Sequence, residues 1–296
     1  MRQGRRSLRF SKILGLAFLL LVVGLLALRR WQPHELHMAS YNSQRSTIYQ
    51  KMADEGRAFL AGGETTQSLK ISDIFSFDNG KIHPIHKLAE PPVRAAVLYL
   101  PQKFSRVISE IVTETLGSHS SAIWYQNPEM YHFSLYHASH HLEPVPASKS
   151  EIARELEAVD QVARSCSPLR IQLERVVLTC TGALIGCWQV LEGTDPLVIR
   201  ERLKNKLPNA PKKQLYDKLI LHCSFARILP PTANETVETK DNRMTTELLE
   251  QLVMDLNKAL QNFEADIKEL WFVEELDILA LALQGRVKTH KFSLGG

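Results

Sequence analysis

Two apolar runs of strand length, Tyr131-His132-Phe133-Ser134-Leu135-Tyr136 and Leu219-Ile220-Leu221-His222-Cys223-Ser224-Phe225, constrain this chain more than any other feature. Each carries a histidine and a serine two positions apart, and ninety residues separate the two histidines. In an extended strand, residues i and i+2 point to one face. Each run therefore sets an imidazole beside a hydroxyl. Two such strands facing one another would line a pocket with two imidazoles and two hydroxyls, a set suited to acid/base chemistry on a phosphate.

The tripeptide alone is weak, because His-x-Ser occurs at His119, His132, His137 and His222. Context separates the copies. His132 and His222 lie inside apolar runs, each with a large apolar residue directly after the serine. His119 follows Gly117, and His137-Ala138-Ser139 runs into His140-His141, so both read as loop. The cluster of His137, His140 and His141 reads as a solvated, histidine-rich loop rather than a metal site, since no ligand pair nearby completes a zinc spacing. Tyr136, at i+4 from His132, falls on the same strand face as the histidine and is a candidate substrate contact, although a half-buried packing tyrosine is the commoner role. Trp124-Tyr125 similarly reads as a base-stacking wall or, more commonly, as core or rim.

The surrounding elements alternate. A strand over Arg94–Leu100 precedes a helix opened by Pro101 and ended near Gly117. The first histidine strand follows, then a helix announced by the capping box Ser148-Lys149-Ser150-Glu151. Runs over 169–180 and 183–190, meeting at Thr181-Gly182, read as a hairpin. Asp195-Pro196 caps a helix that stops at Pro208, and the second histidine strand lies within 218–229. A long helix is expected near 245–263, with strand-like runs at 267–273, 276–283 and 287–294. The fold class is α+β, built from two similar halves.

Charge locates the rest. Arg2, Arg5, Arg6, Arg9, Lys12, Arg29 and Arg30 are seven of the 36 basic residues, and no acidic residue lies among them. Beyond Arg30, 29 basic residues face 32 acidic ones, so the folded part lacks the cationic surplus that a long polyanion needs. Between the basic groups Ile13 to Leu28 holds no charged side chain. It reads as an uncleaved membrane anchor, since no small-x-small cleavage site follows it. The positive-inside bias leaves the N-terminus cytosolic and the rest lumenal or extracellular, with a mitochondrial membrane as the alternative. The sequon Asn234-Glu235-Thr236 and an even number of cysteines (Cys166, Cys180, Cys187, Cys223) agree with an endomembrane address. The expected organisation is a basic segment over 1–12, a transmembrane anchor over 13–30, a stem over 31–92 containing a helix near 47–61, and a compact domain over 93–296 that begins after Pro91-Pro92.

His132-Phe133-Ser134-Leu135 and His222-Cys223-Ser224-Phe225, in this order of elements, resemble the two-histidine (2H) phosphoesterase superfamily, the group of the RNA ligase and cyclic phosphodiesterase enzymes. The resemblance covers roughly residue 93 to the C-terminus. It departs in having serine at both motif positions where threonine is frequent, and in the anchor and stem. It implies a bilobal fold of two pseudo-symmetric antiparallel-sheet lobes with outer helices. It also implies that His132 and His222 are catalytic, that Ser134 and Ser224 hold the phosphate, and that neither metal nor cofactor is required. The expected partner is a small nucleotide or an RNA-end phosphate ester, with the lipid bilayer engaged through the N-terminal helix. A nucleotide-binding module without turnover and a membrane-tethered interaction protein are the alternatives.

Overall fold

The computed structural model describes residues 37–56, 68–78, 81–117, 123–229 and 245–295. Contacts divide the chain after Ser43, and the architecture below is that of Gln44–Gly296. Helix α1 occupies residues 44–56 of this unit. A short helix α2 (Ile71–Ile74) and a hairpin of β1 (Phe75–Asp78) and β2 (Lys81–Pro84) follow.

Two antiparallel sheets form the core. The first has the order β11-β10-β3-β5, from β3 (Leu88–Tyr99), β5 (His132–Ser139), β10 (Glu269–Asp277) and β11 (Val287–Ser293). The second has the order β4-β8-β7-β6-β9, from β4 (Ile123–Tyr125), β6 (Leu169–Leu178), β7 (Ala183–Glu192), β8 (His222–Ile228) and β9 (Glu264–Ile267). Helices α4 (Lys149–Arg164) and α5 (Pro196–Lys206) pack on the first sheet, while α3 (Gln102–Leu116) and α6 (Thr246–Ala259) pack on the second. This is an α+β fold with one histidine strand in each sheet. The halves are unequal, because β5 is an edge strand whereas β8 is flanked on both sides.

Local chemistry explains the elements that hold the site. Ser148 and Glu151 cap α4 reciprocally, as the sequence predicts. The hairpin between β6 and β7 turns at Gly182, whose φ of 78° favours glycine. Gly186 on β7 is needed for space: a Cβ there would sit 2.3 Å from the Phe225 ring, which lies across it. That close approach lets the strand carrying His222 pack flat on its neighbour.

Several expectations fail. The reading of 31–92 as a stem does not hold for the described residues between 44 and 92, which are built into the fold. Arg45 is fully buried and donates to both oxygens of Asp195 at 2.6 and 2.7 Å. Tyr49 is also fully buried; its hydroxyl donates toward the Trp188 and Leu221 carbonyls and accepts from Leu221 N–H at 2.9 Å. Pro91-Pro92 lies inside β3 and is no boundary. The strand expected over 276–283 is instead the end of β10 followed by a helical turn, α7 (Ala280–Leu283), whose first backbone N–H groups are drawn to the Glu275 carboxylate. The sequence leaves the pairing of the cysteines open; all four are unpaired here, and Cys166, Cys187 and Cys223 are buried. Among the described residues no helix is long and apolar enough to cross a membrane. The basic segment, the run over 13–30, His119 and the sequon lie outside the described residues.

Candidate active site

Strands β5 and β8 bring their motifs to one cavity. His132, Ser134, His222 and Ser224 line a space of about 70 Å³ together with His137 and Glu275. It opens beside a larger chamber of about 280 Å³ that shares His222, Ser224, Gln126 and Tyr216 as walls. The four residues named from the motif therefore meet across the two sheets.

Tyr136 does not join them, and the reason is a β-bulge. Val97 pairs with Ser134 while its neighbour Ala96 pairs with Tyr136, so Leu135 is an extra residue. An extra residue reverses the alternation of faces. Tyr136 is buried away from the cavity and His137, at +5 from the motif histidine, takes the place expected of +4. Strand β8 repeats the device. Ile185 pairs with Ser224 and Leu184 with Ala226, so Phe225 is the extra residue. Its +5 residue, Arg227, lines the larger chamber. The sequence carries no sign of either bulge, and reasoning from it misses both His137 and Arg227.

The histidine-rich loop is also corrected. His137 and His140 are buried, and β5 runs through to Ser139. The Gln214 side chain pairs with the His137 backbone as a strand would, accepting from its N–H at 2.7 Å and donating to its carbonyl at 3.1 Å. This closes part of an open sheet edge. His140 Nδ1 accepts from Glu143 N–H, so Nε2 carries the proton that is donated to the Lys213 carbonyl. Among the described residues no group of three or more His, Cys, Asp or Glu side chains is placed to hold a metal. Trp124 packs against Phe75 and donates its indole N–H to the Ala282 carbonyl at 3.1 Å, at the rim of the larger chamber.

His132 is held in one tautomer. Its Nδ1 lies 2.8 Å from the Met130 carbonyl, which can only accept, so Nδ1 carries the proton and Nε2 is left with a lone pair. The His222 ring meets Tyr216 edge to face, with centroids 4.9 Å apart. Behind both motifs lies Arg200, a nearly buried guanidinium from α5. It donates to the Ser134 and Leu135 carbonyls on one strand and to the Lys218 and Ile220 carbonyls leading into the other, at 2.7–3.0 Å. Helix α5 is fixed in turn by Asp195, which caps Leu197 N–H and pairs with Arg45. One chain of contacts thus runs from α1 to the spacing of the two motifs.

Burial keeps these imidazoles neutral. It pushes His222 down to about 4, with the nearby Arg200 charge and His132 adding to it. It also lowers His132, against the Met130 hydrogen bond, which favours the charged form. His137 falls to about 3 through burial and the neighbouring histidines. Glu275 moves the other way, up to about 7, because burial outweighs its bonds to the N–H groups of Ala280 and Leu281.

These shifts set a pH dependence. As pH falls below about 6.5, the unfolded chain binds protons that the folded imidazoles refuse, so acidification is destabilising. Glu275 opposes this. Folded, it keeps its proton up to about 7, whereas the unfolded carboxyl releases it near 4.3, so its contribution is full at low pH and lost as pH rises through its folded value. Three imidazoles outweigh one carboxyl, and Tm is expected to rise between about pH 4.5 and 6.5. A melting temperature that is flat or falls over that range, measured by calorimetry, refutes this account.

No protein-family model matches this sequence, and no curated protein matches it. Solved structures do. TT0787 of Thermus thermophilus aligns over 69% of this chain and 98% of its own, at 16% identity and a TM-score of 0.47. E. coli LigT in apo form aligns over 69% and 98%, at 9% identity and a TM-score of 0.42. A structure described as a phosphoesterase aligns over 70% and 100%, at 12% identity and a TM-score of 0.40.

Proposed function

We propose that this chain is a phosphodiesterase that hydrolyses a cyclic nucleotide of the 2′,3′-cyclic phosphate type, or an RNA-end phosphodiester, by paired-imidazole acid/base chemistry. The observation that carries the reading is the convergence of His132, Ser134, His222 and Ser224 on one cavity from two separate sheets. The hydroxyls of Ser134 and Ser224 donate to the non-bridging phosphate oxygens and hold the phosphorus in line.

The fixed tautomer supports His132 as the base. Its Nε2 takes a proton from water while the water oxygen attacks phosphorus. His222 is neutral in the free protein, and the negative charge of a bound diester favours its protonated form. It then gives that proton to the leaving oxygen as the P–O bond breaks. Arg227, in the adjoining chamber wall, supplies positive charge near Ser224. Each proton and charge is handled by a side chain, so turnover is expected to be insensitive to chelators.

The test is turnover of adenosine 2′,3′-cyclic phosphate and of bis(4-nitrophenyl) phosphate by the full chain, with and without EDTA. Loss of turnover in EDTA removes the metal-free scheme. Nucleotide binding without turnover of any diester replaces it with a binding module. The run over 13–30 is part of the same proposal, as a membrane anchor that leaves the catalytic domain lumenal or extracellular. A domain digested by protease added to the cytosolic side of intact membranes contradicts that orientation.

A further inference from the structure

The chamber of about 280 Å³ beside the histidines is walled largely by residues that the motif chemistry does not use. Met52 comes from α1, Ile74 and Phe75 from the α2–β1 segment, and Trp124, Ile185 and Ile220 from the second sheet and its approach. Three of these six belong to the stretch ahead of β3. Met52 is placed by α1, which Arg45 and Tyr49 anchor, and Ile74 and Phe75 are buried against Leu229 and Leu283.

Several polar groups of the chamber away from His222 and Ser224 are already engaged within the protein. Trp124 Nε1 donates to the Ala282 carbonyl, Gln126 Nε2 to the Leu281 carbonyl at 2.6 Å, and Arg227 to the Thr181 carbonyl at 2.9 Å. The Thr179 hydroxyl accepts from Ala183 N–H, and Asp217 accepts from Leu219 N–H. A many-hydroxyl group such as a glycan would have to compete with these bonds, which is costly in a buried site. Aromatic surface suits the walls better. The Phe75 and Trp124 rings lie 5.5 Å apart, tilted by 52°, and Tyr216 closes the side next to His222. Aromatic rings gain from such offset and edge contacts. An apolar cavity of about 150 Å³ holds one benzene, so a space nearly twice that size fits a two-ring group.

We infer that the chamber receives a planar aromatic group of bicyclic size carried by the phosphate ester, and that Met52, Ile74 and Phe75 select for it. This rests on the reading that the paired motifs hold the phosphate. The aromatic group lies beside His222 and Ser224 because those residues form a wall common to both spaces. It is either a nucleobase or a non-nucleoside aryl group, which share this chemistry.

The test is calorimetric binding of 1-naphthyl phosphate, adenosine 3′-monophosphate and methyl phosphate to the full chain. Naphthyl phosphate is expected to bind at least tenfold more tightly than methyl phosphate. That ratio is expected to collapse in Phe75→Ala and in Met52→Trp, where the larger ring fills the space. Equal affinities for naphthyl and methyl phosphate in the wild type overturn the inference without any variant having to fold. A preference that survives both substitutions overturns it too, because the group then lies elsewhere. Adenosine 3′-monophosphate binding as tightly as naphthyl phosphate identifies a nucleobase; weaker binding identifies a non-nucleoside aryl group. Aryl-selective binding without hydrolysis of any diester keeps this inference and removes the catalytic one. Hydrolysis without aryl selectivity does the reverse.

Discussion

His132→Ala and His222→Ala are each expected to lower kcat by about 10²- to 10⁴-fold, the range that a positioned acid or base contributes. Both substitutions remove a group from the cavity wall without unpairing a buried charge, since both imidazoles are held neutral. Stability is therefore expected to change far less than rate. The double variant should lose little more than either single one, because a base without its acid partner completes no turnover. For the wild type, kcat/KM reports the free protein's groups, so its acidic limb is expected below the ordinary imidazole value of about 6.5. Diester turnover above a tenth of wild type in either single variant, with unfolding curves unchanged, removes that histidine from the mechanism.

The sequence made the two motif strands legible because their chemistry is local: a histidine and a serine at i and i+2 on an apolar run share a face whatever the sheet. Caps were legible for the same reason. Ser148 with Glu151, and Asp195 ahead of Pro196, act within a single turn. The +5 residues were not legible, because a bulge is decided by how two strands pair and leaves Leu135 and Phe225 looking like ordinary apolar positions. The stretch ahead of β3 was misread for another reason. The fully buried side chains of α1 are an arginine and a tyrosine, hydrogen-bonded to partners more than a hundred residues away, with Met52 and Ala53 packed beside Tyr49 on the same apolar cluster. The stripe of Tyr49, Met52 and Ala53 is short, and the buried arginine beside it advertises no docking at all. The helical turn at Ala280–Leu283 escaped too, since Glu275, whose buried side chain holds its first N–H group, lies between two runs that read as strands.

Arg200→Met is expected to destabilise the fold by about 3–5 kcal/mol, the cost of leaving several buried carbonyls without their donor. Methionine roughly keeps the stem's volume, so the loss isolates the guanidinium. Four carbonyls lose their donors together, those of Ser134, Leu135, Lys218 and Ile220, and each unpaired buried polar group costs about 1–3 kcal/mol before relaxation. Water entering the gap offsets part of the sum, which is why the expectation sits well under four full penalties. Lysine is a poor substitute, because a single ammonium cannot span carbonyls on two strands as a planar fork does, and Arg200→Lys is expected to recover less than half of the loss. The same bonds join the strand of Ser134 to the approach of His222, so the guanidinium sets how far apart the two motifs stand. A displacement of about 1 Å at a reacting group costs about 10²-fold in rate. Arg200→Met is therefore expected to lose activity under conditions where it remains folded, with kcat falling more than KM rises. Urea unfolding supplies the stability measurement and initial rates at low urea supply the other. A variant as stable as wild type shows that the four carbonyls find other donors, and one that is less stable but equally active shows that the motifs hold their spacing without the guanidinium.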